Sequence, residues 1–141
     1  MRIAQSNWSI DTSDDWSVTG HPECLTLEVS DQGALQMSSA HKQTGLVAEE
    51  DLFFSEGQRQ TWGPWQRAIF GEFEGIAYEY TEGKVTWRRW FLRWGQILLF
   101  VTYNGTAEAA ERERTAVEQL LSTVRPEVGG EVYPFHRADI Q

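Results

Sequence analysis

Cysteine is nearly absent from this 141-residue chain: Cys24 stands alone, so no internal disulfide can form and a small fold stapled by oxidation is excluded. A reducing compartment is the simpler expectation. Basic residues are also scarce, 12 Lys+Arg against 21 Asp+Glu for a formal charge of −9. That balance repels phosphate backbones and anionic lipid head groups, so neither a nucleic-acid nor a membrane partner is expected. No apolar run is long enough to cross a bilayer. The uninterrupted piece is only Ile97 to Val101, and Arg88, Arg89 and Arg93 just before it would each be costly in hydrocarbon. The opening "MRIAQSNWSIDTSDDW" lacks the continuous apolar core of a signal peptide, which points to a cytoplasmic location.

Recognisable chemistry is missing as well. There is no G-x-S-x-G elbow, no Cys–His signature and no glycine-rich phosphate loop. No catalytic residue and no cofactor site are assigned, and the chain is read as non-enzymatic, although a triad dispersed along the sequence would leave no motif. His21, His41 and His136 are scattered, and only His21 with Cys24 has a spacing that suggests metal binding. Two ligands do not make a site, so no metal is assigned: His21-Pro22 reads as an exposed turn and Cys24 as a small core hydrophobe.

What the chain does have is aromatic residues, 13% of the total with seven tryptophans, concentrated in "VTWRRWFLRWGQILLFVTYN" from Val85 to Asn104. Ile76, Tyr78 and Tyr80 alternate with Ala77 and Glu79 before the polar turn Thr81-Glu82-Gly83-Lys84, which reads as a β-hairpin. Gly95-Gln96 is a second tight turn, because glycine accepts the positive φ of a two-residue loop. Three antiparallel strands follow: about Phe73 to Tyr80, Val85 to Arg93 and Ile97 to Tyr103. On the third, Ile97, Leu99, Val101 and Tyr103 point one way and Leu98 and Phe100 the other, so the sheet must be covered on both faces.

Thr106 then reads as the N-cap of a helix. Ala110, Val117, Leu120, Leu121 and Val124 recur at helical spacing before Pro126 stops the run. Upstream, "CLTLEVS" and "GALQMSSA" read as strands separated by Asp31-Gln32-Gly33, and "WSI" and "WSV" as shorter ones flanking "DTSDD". "AEEDLFFSEGQ" reads as a short helix ending at Gly57, whose first turn carries Glu49, Glu50 and Asp51. Those acids suit the helix dipole better than a divalent cation. "TWGPWQRAIF" holds a Gly-Pro corner and a strand from about Trp65 to Phe70. Residues 1–125 are read as a single α+β domain and 126–141 as an irregular C-terminal tail, pinned by Val132, Tyr133 and Phe135.

The Arg–Trp interleaving admits two readings. It could be a stacking surface for bases or sugars. Alternatively, closure of the first hairpin around Glu82-Gly83 sets Tyr80 opposite Val85, Glu79 diagonal to Arg88, Glu74 diagonal to Arg89 and Arg93, and Glu72 opposite Arg93. Cross-strand ion pairs then account for all three arginines, and this reading predicts more. Side-chain parity leaves a second choice open: a β-bulge near Arg88-Arg89 would gather Val85, Trp87, Trp90, Leu92 and Trp94 on one face, whereas without it aromatic residues load both faces and the strand is central. Trp62, Trp65 and Arg67, around the corner Gly63-Pro64, form the candidate partner-binding patch, with at least one ring expected to be less buried than the strand tryptophans. The competing expectation is that both rings cover the core edge.

"GALQMSS" (Gly33 to Ser39), "EGIAYEYTEG" (Glu74 to Gly83), "WRRWFLRWGQILLFVTYN" (Trp87 to Asn104) and "LLSTVR" (Leu120 to Arg125) together resemble a family of small, uncharacterised bacterial proteins with a Mog/PsbP-like fold. The resemblance covers most of residues 8–125 and implies a single, meander-like antiparallel sheet flanked by helices. Ala48 departs from the Ser/Thr-type helix cap such sequences carry. Members of that broad fold are mostly non-catalytic and include import factors, a photosystem subunit and immunity proteins, which is an analogy of fold alone. With the acidic balance, it suggests an immunity-type or adaptor protein that binds a basic protein partner such as a toxin. The rival expectation is a small-ligand carrier or sensor using an aromatic cleft.

Overall fold

The computed structural model describes residues 1–20, 24–29, 33–53 and 62–127. Among the described residues the elements with defined bounds are, in chain order, β1 (Arg2–Ala4), β2 (Trp8–Asp11), β3 (Trp16–Thr19), β4 (Leu25–Val29), β5 (Gly33–His41), a 3₁₀ helix (Glu49–Phe53), β6 (Trp65–Phe70), β7 (Phe73–Glu82), β8 (Val85–Trp94), β9 (Ile97–Thr106), α1 (Ala107–Leu121) and β10 (Arg125–Pro126). The architecture is α+β and mostly antiparallel, but the expected single sheet is two. A seven-stranded sheet has the order β3-β4-β5-β9-β8-β7-β6, and a three-stranded sheet has the order β1-β2-β10. "WSI" and "WSV" therefore belong to different sheets. β2 pairs with β1 and with β10 at the far end of the chain, Pro126 opposite Trp8, and the Glu127 N–H donates to the Asn7 carbonyl at 2.9 Å. Ordered pairing thus continues past Arg125. The supposed end of the short helix at Gly57, the Asp31-Gln32 turn, His21, His136 and the residues thought to pin the tail lie outside the described residues.

Strands β6 to β9 form a meander closed by two-residue loops. Gly71, Gly83 and Gly95 each open such a loop with positive φ (61°, 64° and 57°), a region costly for residues with a Cβ. Because Gly83-Lys84 is the loop, Glu82 pairs with Val85, two residues further along than closure at Glu82-Gly83 allowed. Tyr80 is therefore opposite Trp87, Glu79 directly opposite Arg88, Glu74 directly opposite Arg93, and Arg89 opposite Tyr78. Glu72 sits in the β6–β7 loop and not opposite Arg93. A slip of two preserves every side chain's face but changes its partner. Register runs unbroken along β8 to both neighbours, so no bulge gathers its aromatic residues, and the strand is central with rings on both faces.

Parity then sorts the core. On one face Leu25, Leu27, Leu35, Met37, Phe73, Trp90, Leu92, Leu99, Val101 and Tyr103 meet Val117, Leu120 and Leu121 of α1 and Trp8 and Ile10 of the small sheet. On the other, Ile76, Tyr78, Phe91 and Leu98 are covered by Val47, Leu52 and Trp62. The second face is apolar chiefly on the β6–β9 side; across β4 and β5 it carries Thr26, Glu28, Gln36 and Ser38, none of them buried, with Ala40 buried at the end next to Leu98. Thr106 caps α1 as expected, its hydroxyl accepting from the Ala109 N–H at 3.1 Å. At the 3₁₀ helix the missing Ser/Thr cap is replaced in reverse: the Asp51 carboxylate accepts from the Ala48 N–H at 2.8 Å.

Candidate binding surfaces

The three residues proposed from sequence as a recognition patch part company. Trp62 is only 6% exposed and stacks nearly parallel on Tyr80 (5.7 Å, 8°) and Phe91 (6.1 Å, 15°), with Tyr78 edge-on at 5.2 Å. It is a core residue. Trp65 is 38% exposed on β6 beside Phe53, and Arg67 lies two residues further on the same face, half exposed and ion-paired to Glu49 and to Glu74 at 3.7 Å. Gly63, with φ 85°, makes the corner that sends the two rings apart. The Arg67 guanidinium beside Glu49 holds that carboxyl below the usual range.

The arginines of β8 are structural in different ways. Arg88, on the helix face and 7% exposed, links Glu79 (3.3 Å) to Glu118 of α1 (2.8 Å), while Glu79 also takes Arg114 at 2.8 Å. Its guanidinium lies 4.6 Å over the Trp90 ring. This chain of charges ties α1 to the sheet and holds the Glu79 carboxyl low, chiefly through the Arg114 hydrogen bond. It also fills one wall of a polar cleft of about 390 Å³ between α1 and β6–β7, whose other lining includes Gln66 and Pro64. Arg93 pairs with Glu74 at 2.6 Å and donates to the Val47 carbonyl at 3.1 Å, pinning the segment over the second face. Arg89 is not set against a glutamate across the strand. Its Nε donates to the Tyr80 hydroxyl at 2.8 Å, and its guanidinium lies 4.8 Å from the Trp62 ring and 5.1 Å from Trp87. The series Phe91, Trp62, Tyr80, Trp87 is thus stacked ring on ring, with Arg89 inserted.

Asp51 holds Lys42 at 2.7 Å as well as the Ala48 N–H, and Glu49 holds Arg67, so these two acids of the 3₁₀ turn point to separate cations. No group of three or more His, Cys, Asp or Glu among the described residues is arranged to hold a metal ion. Cys24 is half-buried, and that burial raises its thiol pKa, partly offset by a backbone hydrogen bond at Met37. Tyr103, buried against α1, donates to Glu113 at 2.7 Å; burial first and this bond second push its phenol well above the usual range.

One surface escaped the sequence reading. Asp11 at the end of β2, Ser13 and Asp15 of the β2–β3 turn and Trp16 border a cleft of about 540 Å³ whose apolar side is Val29, Ala116 and Leu120. "DTSDDW" read as a turn, and its acidic run was the available signal. Nothing local in it foretold the facing helix about a hundred residues later.

The geometry defines an α+β protein built on a long antiparallel meander and a second small sheet. No family model and no curated protein matches the chain. Among solved structures it is similar to a protein from Bacteroides thetaiotaomicron VPI-5482, with a TM-score of 0.64 and 16% identity over 90% of this chain and 47% of that one. The chain therefore spans about half the length of that protein, and the likeness is one of fold. No helix among the described residues is long and apolar enough to cross a membrane.

Proposed function

We propose that this chain is a non-enzymatic protein-binding domain, of the bacterial immunity or adaptor kind, that binds a basic protein partner in the cytoplasm. The observation supporting this reading is the cleft between the β2–β3 turn and α1. Asp15, and Asp11 with the Met1 ammonium 3.2 Å from its carboxylate, line this cleft together with Trp16 over an apolar floor, and carboxylates sharing a cleft with an indole suit a lysine or arginine side chain, through charge-assisted hydrogen bonds and cation–π attraction. A net charge of −9 would speed the encounter with such a partner. Support for the rival, a small-ligand carrier, is thinner, because the rings that would line its aromatic cleft stack on one another.

Affinity capture from the native host with the wild-type chain and with an Asp11→Asn/Asp15→Asn variant tests the proposal. The wild type is expected to retain a basic protein that the variant loses, with salt weakening the complex. Recovery of the same protein by both would remove the cleft from the mechanism, and turnover of a small molecule with no protein retained would refute the reading.

A further inference from the structure

The outer edge of β6 matches itself. The loop Gly71-Glu72 makes Phe70 and Phe73 a hydrogen-bonded pair; alternation then turns the backbone groups of Gln66, Ala68 and Phe70 toward β7 and those of Trp65, Arg67 and Ile69 outward. Among the described residues no strand pairs with that outer edge. The devices that usually blunt an edge are thin here. Register from Trp65↔Tyr78 to Phe70↔Phe73 has no bulge, Pro64 precedes the strand without interrupting it, and two of the outward residues are apolar, Trp65 at 38% and Ile69 at 74% exposure. The one outward charge, Arg67, is already matched by Glu49 and Glu74.

We propose that β6 pairs antiparallel with β6 of a second copy of this chain, across a two-fold axis at Arg67, so that two seven-stranded sheets join into one. Every two-fold register on a residue sets outward residues against outward residues, but only one centred on Arg67 pairs all three of them, Trp65, Arg67 and Ile69. Trp65 then stands opposite the partner's Ile69, and Ile69 opposite the partner's Trp65, so each copy's exposed apolar pair is covered by the other's. On the opposite face Gln66 meets the partner's Ala68. Arg67 meets its own equivalent, a repulsion tempered by the two glutamates each copy brings. A basic foreign strand fits this edge less well, because its cations compete with Arg67 for the same carboxylates. The contact is small and belongs to the weak class of interfaces. Because each copy carries −9, screening should tighten it, the reverse of the salt response of a basic-partner complex.

Sedimentation equilibrium on the full chain, from about 1 μM to about 1 mM to span weak affinities, provides the test. A monomer–dimer equilibrium is expected, tighter at about 0.5 M than at about 0.05 M salt. Ile69→Lys should raise the dissociation constant at least about tenfold while leaving the melting temperature unchanged, since the side chain is mostly exposed. In a Cys24→Ser background, a mixture of Gln66→Cys and Ala68→Cys chains should oxidise to a mixed dimer in preference to either like pair. A monomer throughout the range, or a dimer that survives Ile69→Lys, overturns the proposal. A monomeric chain that still retains a basic partner would overturn it while leaving the protein-binding reading intact.

Discussion

Truncating Trp62 separates a recognition role from a core role. The ring is 6% exposed and contacts Tyr78, Tyr80 and Phe91, with the Arg89 guanidinium over its face. Burial of a large side chain contributes about 2 to 3 kcal/mol. Each ring pair adds about 0.5 to 1.5 kcal/mol beyond area, and the cation about 0.5 to 1. These contributions overlap, and aromatic-to-alanine changes in cores cost about 3 to 5 kcal/mol; a site where three rings lose a neighbour at once belongs in the upper half. For a chain of this size that is a fall of about 10 to 20 °C in melting temperature. Differential scanning calorimetry of Trp62→Ala beside Trp65→Ala is the assay. The exposed Trp65 should cost about 1 kcal/mol or less. If Trp62→Ala costs under about 1 kcal/mol, or no more than Trp65→Ala, the stacked assignment is wrong.

Further outcomes follow from the same packing. Leu99, fully buried under α1, should cost about 2 to 5 kcal/mol on replacement by Ala, measured by urea unfolding. Gly75→Ala should be nearly as harmful, about 2 to 3 kcal/mol, because the new Cβ would lie 1.9 Å from the Phe91 carbonyl oxygen, which is backbone. The Glu79 carboxyl is held low in the fold, so its contribution is present above the ordinary carboxyl pKa and is lost as pH falls through the folded value. Glu79→Gln should therefore destabilise at pH 7, and its deficit should shrink in acid. The Tyr103 phenol is held high, so its contribution is complete below the ordinary tyrosine pKa and disappears as pH rises above it. Alkaline titration at 295 nm should leave Tyr103 un-ionised until the fold opens, and Tyr103→Phe should reduce the late-titrating amplitude by one tyrosine.

The sequence by itself determined the meander and what must cover it. Gly83 and Gly95 placed two hairpin loops because few other residues accept their φ, and the two-sided apolar pattern of Ile97 to Val101 required cover on both faces. Thr106 started α1 where local chemistry put a cap. These are short-range consequences of backbone sterics and side-chain period, so they are legible without a fold. The tertiary structure alone decided the rest. Register in the first hairpin turned on which two residues formed the loop, a choice that moved Glu79 and Glu74 directly opposite Arg88 and Arg93 and left Arg89 to stack between Trp62 and Trp87. The second sheet depends on Pro126 returning to Trp8, a contact between opposite ends of the chain that no local pattern encodes. Trp62 and Trp65 looked alike in sequence, flanking Gly63-Pro64, yet one became core and the other edge, because burial depends on what lies across the sheet. The acidic cleft arose in the same way: Asp11 and Asp15 are a turn until Ala116 and Leu120 are folded against them.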